Sequence, residues 1–380
     1  MALLVDIEPL SPCCADHALE FMFKAMADGG GFDSSIWNPH ENIFIRRIVE
    51  LFSSRGLLRV EGMQKELDGW LAGERFAGDK REPHPRPDTW NRLDSSQLDL
   101  LRLYLENLPP EEWRADDWAL LVDYLGNKYL PEDAMKTDAE WMVGRSTMMG
   151  KIQSVLGTVS EEQADTFLSA LTHAPTSLSQ AMASIVEYGT ARVCENVVDM
   201  TDNTIHRLKG TILDYRARVA QGDTSATPET LQTKLFDDFS SANRDWRRIA
   251  VTEAGELANQ GAIASLAPGA KVMRIEAYDD ACNHCARLDG KIFTVVSPDK
   301  PDKDGETEVW TGKTNVGRSA SPRKRTPDGL VDRTPSERWW AAAGVQHPHC
   351  RGHWEPVETL ASSGDAEFDD WMDKVLGRDS

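Results

Sequence analysis

Cys282-Asn283-His284-Cys285 sets two thiols on one tight turn, and His347-Pro348-His349-Cys350 later adds an imidazole and a third thiol. Sulfur and nitrogen donors in two close pairs are the ligand set that zinc takes in tetrahedral sites. Cys282, Cys285, His347 and Cys350 are therefore the candidate metal ligands, with His284, His349 and His353 competing for the imidazole position. Four protein ligands leave no open position for water or substrate, so zinc held this way is structural. The plainer reading of the same residues is a hairpin held by packing alone, with reduced thiols and surface histidines.

The elements that must position these donors are short. Val272 to Tyr278 alternates Met273, Ile275 and Ala277 with Arg274, Glu276 and Tyr278, which predicts a strand leading into the first thiol pair. Asp289-Gly290 predicts a tight turn, with Leu288 and Ile292-Phe293 as strand ends. Upstream, Ile249, Ala250 and Leu257 give the segment from Trp246 an apolar helical face. Glu253 on that helix is placed to accept a hydrogen bond from a metal-bound histidine, or else is a solvated carboxylate.

Between the two donor pairs, Ser297 to Ser336 is rich in Pro, Gly and charge with little periodicity, and predicts an extended or mobile insertion. Lys313 to Arg338 carries seven positive charges against three negative ones. In a chain of net charge −20 this is the credible site for a phosphate backbone or an acidic neighbour. Arg318, Arg323, Lys324 and Arg325, followed by Trp339 and Trp340, are the candidate nucleic-acid or partner contacts; a solvated loop whose tryptophans plug the knuckle is the alternative.

The rest of the 380 residues reads as helical. Ile43, Phe44, Ile48, Leu51 and Phe52 have helical spacing, with breaks expected at Gly29 to Gly31 and at Gly56. Pro83, Pro85 and Pro87 mark a linker. Ser95 to Asn107 and Glu111 to Tyr129 follow as helices, and Ser160 to Gln163 has the form of a capping box. Ser179 to Val219 is one long helix or a tight pair, and Thr227-Pro228-Glu229 opens another. The predicted fold is mainly α: helical N-terminal and middle regions with a small α+β C-terminal zinc-knuckle domain. Segment boundaries fall at 1–80, 90–150 (a helical docking region), 151–235, 236–356 (knuckle and basic insertion) and 357–380 (tail).

Composition of 40% hydrophobic and 27% charged residues is that of a globular chain. Its acidity excludes a protein that coats nucleic acid with its whole surface. Six cysteines are too few and too uneven for a disulfide scaffold, which favours a reduced, cytoplasmic site of synthesis. No segment reaches the roughly 18 apolar residues of a membrane span, and the start of the chain lacks the pattern of a secretory leader.

Three ordered stretches together are similar to a known family: WRRIAVTE (Trp246 to Glu253), YDDACNHCARLDGKIF (Tyr278 to Phe293), and HPHCR (His347 to Arg351) followed by Pro356. They resemble the C-terminal domain of Mu F-like phage head morphogenesis proteins, over about 235–356. The family's further cysteine after the last one is Gly352 here, and its arginine before Thr-Glu is Val251. The resemblance implies a minor head protein of a tailed phage or prophage, located in the virion head. It implies docking on the portal or major capsid protein, with packaged double-stranded DNA as a further contact; no enzymatic activity is expected, because the ligand count is closed and no nucleophile has an evident base. The alternatives are a zinc-knuckled nuclease of the His-Asn-His kind, which needs a separate general-base histidine, and a Mu F-type toxin-delivery protein.

Overall fold

The computed structural model describes residues 42–78, 82, 94–109, 112–157, 159–174, 179–276, 278, 281–327, 329–358 and 362–378. The expected break at Gly29 to Gly31, the linker prolines, Trp37 and Trp90 lie outside these residues. The protein is mainly α with a small α+β region near the C-terminus. Its helices are α1 (Ile43–Leu71), α2 (Ser95–Asn107), α3 (Ala115–Tyr129), α4 (Glu132–Leu156), α5 (Glu161–Ala170), α6 (Gln180–Ala220), α7 (Pro228–Ala264), the single turn α8 (Asn283–Ala286) and α9 (Ala366–Val375). The strands are β1 (Lys271–Ile275), β2 (Ile292–Val295), β3 (Glu308–Val309), β4 (Arg323–Thr326), β5 (Gly329–Asp332) and β6 (His353–Pro356).

Helix starts follow their capping residues. Ser160 Oγ accepts from Gln163 N at 3.2 Å and Gln163 Oε1 accepts from Ser160 N at 3.0 Å. Asp94 and Gln97 form the same reciprocal pair at the start of α2. Pro228 occupies the first position of α7, where no amide donor is needed. Ser179 to Val219 resolves as one continuous helix, since nothing within it breaks the ladder. Gly56 does not break α1. It sits mid-helix because a Cβ there would lie 2.2 Å from the Trp246 ring, which stacks on Phe52 and donates from Nε1 to Phe52 O at 2.9 Å.

Two compact units result, and neither is contiguous in sequence: residues within Leu51–Ala139 and Cys194–Trp246 form one, and those within Gly31–Glu50, Glu140–Val193 and Arg247–Ser380 form the other. The cause is length. At about 1.5 Å per residue, α1, α4, α6 and α7 outrun a single small core, and each contributes a segment to both units.

The first unit is built on aromatics: Trp113 lies 5.9 Å from Trp70 and 4.6 Å from Trp118, ring centre to ring centre. None of the described tryptophans is fully exposed. These rings fill cores or lie half-buried.

In the second unit, β3-β2-β1-β6 form one sheet, antiparallel except for the β2–β3 pair. Val272, Phe293, Val295, Val309 and Trp354 pack with Ile263 and Leu266 from α7 and the residues after it. The insertion is not structureless. It supplies β3 and the β4–β5 hairpin, and Lys313 within it is wholly buried.

Helices α4 and α7 approach at backbone distance, where a Cβ on Gly150 would meet Ala258 O at 2.0 Å. Gly144 on the same helix has open space. Gly150→Ala is expected to cost about 3 kcal/mol or more through overpacking against backbone that cannot yield. Gly144→Ala is expected to be neutral or to stabilise by up to about 1 kcal/mol. Denaturant unfolding of both variants checks the contrast.

Candidate metal centre

The four donors expected from the sequence meet in space. His347 Nε2 lies 3.3 Å from Cys282 Sγ and 3.2 Å from Cys285 Sγ, and Cys285 Sγ lies 4.0 Å from Cys350 Sγ. No disulfide joins them. Their donor atoms form two overlapping groups, Cys282/Cys285/His347 and Glu276/Cys285/Cys350, each within 4.8 Å, and Cys285 belongs to both. Together the residues lie close enough to hold a metal ion.

The His347 ring is oriented for ligation. Its Nδ1 donates to the Pro348 carbonyl at 2.7 Å, which leaves the Nε2 lone pair facing the thiols. The competing imidazoles are used elsewhere: His349 Nε2 accepts from Arg248 Nε at 3.0 Å, His353 Nε2 lies 3.2 Å from Glu355 Oε1, and the His284 ring packs edge-on against Trp339.

Behind the donors is a layer the sequence reading did not assign. Arg274 and Glu276 have no solvent exposure in their side chains, and Arg274 Nε donates to Glu276 Oε1 at 2.7 Å. The other guanidinium nitrogens donate to Gly344 O at 3.3 Å and Cys350 Sγ at 3.4 Å. The polar-looking face of β1 is thus the buried one. Burial works against ionising Cys350, but the hydrogen bond from Cys285 and the charge of Arg274 outweigh it and bring Cys350 down to about 6. That hydrogen bond to Cys350, joined by burial, pushes Cys285 upward. Gly352 is required here, because a Cβ would fall 2.2 Å from the Glu276 carboxyl carbon. Asp289 completes the turn by accepting from Glu276 N at 2.8 Å.

The second donor arm hangs on α7. Arg248, Thr252, Glu256 and Gln260 recur every fourth residue and share one helix face with Asn259. Thr252 Oγ1 accepts from His349 N at 3.2 Å, and Glu256 Oε2 from Val345 N at 2.7 Å. Gln260 Oε1 accepts from Gly312 N at 2.9 Å. Asn259 donates to Gly352 O at 2.9 Å and accepts from Trp354 N at 3.2 Å. The structure pairs Glu253 with Arg192, whose Nε donates to it at 2.8 Å. The place expected for it beside the metal-binding histidine is taken by the Pro348 carbonyl on His347 Nδ1, while Thr252 and Arg248 brace His349 and Glu276 lies beside Cys350.

The basic stretch separates into different roles. Lys313 Nζ donates to Gly305 O and Glu308 O, both at 2.7 Å, among Phe293, Trp310 and Trp340, and burial lowers it to about 7. Arg318 donates to Arg338 O at 2.8 Å and covers Trp340. Arg323 pairs with Asp332 at 3.2 Å and Lys324 with Glu337, while Arg325 is exposed on the hairpin. Trp339 stacks on the His347 ring at 5.7 Å.

Comparison with protein-family models, curated proteins and solved structures gave no match.

Removing one member of a buried charge pair strands the other. Arg274→Met is therefore expected to destabilise the protein by about 3–5 kcal/mol. The double variant Arg274→Met, Glu276→Leu is expected to recover much of that loss. A double-mutant cycle from denaturant unfolding measures the coupling.

Proposed function

We propose that this chain is a minor head protein of a tailed phage or prophage, a non-enzymatic assembly component docked at the portal or inner shell. Its C-terminal unit is closed by a structural zinc ion on Cys282, Cys285, His347 and Cys350. The observation that carries the metal assignment is the convergence of three sulfurs and one oriented imidazole nitrogen around Cys285.

The donor set fits the ion. A tetrahedron with zinc–sulfur bonds of about 2.3 Å has sulfur–sulfur edges of roughly 3.8 Å, and the Cys285–Cys350 separation is 4.0 Å. Three thiolates and one imidazole around a divalent ion leave one net negative charge, which the Arg274 guanidinium faces from Cys350. Glu276 is already held by Arg274, so it supports the ligand shell without being needed in it. A shell filled by protein donors stabilises the fold and offers no site for substrate, which supports the non-enzymatic reading.

The head assignment rests on the ordered stretches Trp246 to Glu253, Tyr278 to Phe293 and His347 to Arg351. The geometry gives that order a common purpose, because the first braces the third through Arg248 and Thr252, and the second supplies the thiols that meet it. The two units share long helices. The helical region before about residue 150, with 90–150 as the docking region, is the proposed contact with the portal or major capsid protein.

Protein purified without chelator is expected to carry about one zinc per chain. Cys285→Ser should lose the metal and open residues 272–296 and 339–356 to protease while helical circular dichroism persists. Zinc-free protein with those segments equally protected would remove the metal from the account. For the head role, the tagged full-length chain is expected in purified heads at the portal vertex or inner shell. Heads that lack it would refute that role and leave the metal site standing.

A further inference from the structure

Beside the metal centre lies a cleft of about 450 Å³ that neither the ligand shell nor the assembly role uses. His284, Arg287 and Lys291 line it from the knuckle, and Arg338, Trp339 and Trp340 from the segment that precedes the second donor arm. Arg287 and Lys291 are exposed, and neither forms an ion pair or a side-chain hydrogen bond among the described residues. Arg338 uses Nε on the Arg333 carbonyl at 3.0 Å and meets no carboxylate among the described residues. Three unneutralised cations around one cleft stand out in a chain of net charge −20.

The walls combine two kinds of recognition. Trp339 and Trp340 are half-buried, and Trp339 is held in place by the His347 ring on one side and the His284 edge on another. His347 takes one face of Trp339 and Arg318 one face of Trp340, while both residues still line the cleft, where base–aromatic stacking needs no particular sequence. Arg287, Lys291 and Arg338 offer N–H donors to phosphate. Glu306 is the one carboxylate in the lining. It repels a purely anionic ligand but accepts from the exocyclic amino group of a base.

We propose that this cleft binds one nucleotide, with its base against Trp339 and Trp340 and its phosphate on Arg287, Lys291 and Arg338. Clefts of a few hundred Å³ are the size that encloses small ligands. In a duplex the base faces are stacked on each other and unavailable, so the cleft selects unpaired nucleotides. An acidic peptide would satisfy the cations but has no planar group for the indoles. The site differs from the β4–β5 hairpin, where Arg323 and Lys324 already have acidic partners.

The test uses the full-length protein, a short oligodeoxycytidylate as probe and tryptophan fluorescence as signal, at about 0.15 M salt, where charges beyond roughly 8 Å are screened. Quenching with saturation is expected. Arg287→Glu with Lys291→Glu should weaken binding about tenfold or more, with zinc content and circular dichroism unchanged. Trp339→Ala should weaken it roughly five- to hundredfold, as for a stacking aromatic. Arg323→Glu with Arg325→Glu should change it by no more than about twofold, since those charges lie outside the cleft. Competition by dCMP as effective as that by the oligomer assigns a free nucleotide, and competition by the oligomer alone assigns a single strand; both support the cleft. Equal competition by duplex, stronger competition by a polyglutamate peptide, or no loss in the Arg287/Lys291 variant would overturn it.

Discussion

A guanidinium with no access to water fixes the chemistry of the C-terminal unit. Arg274 cannot lose its proton and cannot reach solvent, so every direction its nitrogens point must be met by an acceptor. The acceptors are the Glu276 carboxylate, the Gly344 carbonyl and the Cys350 sulfur, while the Trp354 ring lies 5.1 Å from the guanidinium carbon. One side chain thereby ties β1 to the loop before the second donor arm, to that arm itself and to β6. Breaking the pair would leave a buried charge, which couples the sheet to the thiol cluster.

The other constraint is that the irregular segments carrying His347 to Gly352 bury backbone amides and carbonyls without a regular ladder to receive them. Helix α7 supplies the missing partners through Thr252, Glu256, Asn259 and Gln260. This explains why a helix with an apolar core face carries buried polar residues at a four-residue spacing, a pattern that costs stability unless every group is satisfied. The donor arm is consequently positioned by a long rigid element. Its other end lies in a different compact unit.

Much of this was legible in the sequence. Short-range signals predicted the capping box at Ser160, the proline start at Pro228, the strand at Val272, and the donor set of Cys282, Cys285, His347 and Cys350. Each depends on residues within a few positions of one another, the donors as two local pairs, Cys282/Cys285 and His347/Cys350. The alternation over Val272 to Tyr278 predicted a strand but not which face is buried, because that follows from the Arg274–Glu276 pairing. Likewise Glu253 was singled out over Thr252 and Glu256, since nothing local says which turn of α7 faces the donor arm. Gly56 looked like a break because its reason, the Trp246 ring, lies far along the chain. Contiguous segments could not express two units that are each drawn from separate stretches of the sequence, and the insertion's strands, two to four residues long, are too short to show an alternation.

The central claim is a closed shell of three sulfurs and one nitrogen that fastens the two arms of the C-terminal unit together. Zinc K-edge X-ray absorption on natively purified full-length protein tests it most directly. The account predicts three sulfur scatterers at about 2.3 Å and one imidazole nitrogen at about 2.0–2.1 Å. A shell with oxygen in place of sulfur, or an open position filled by water, would contradict it.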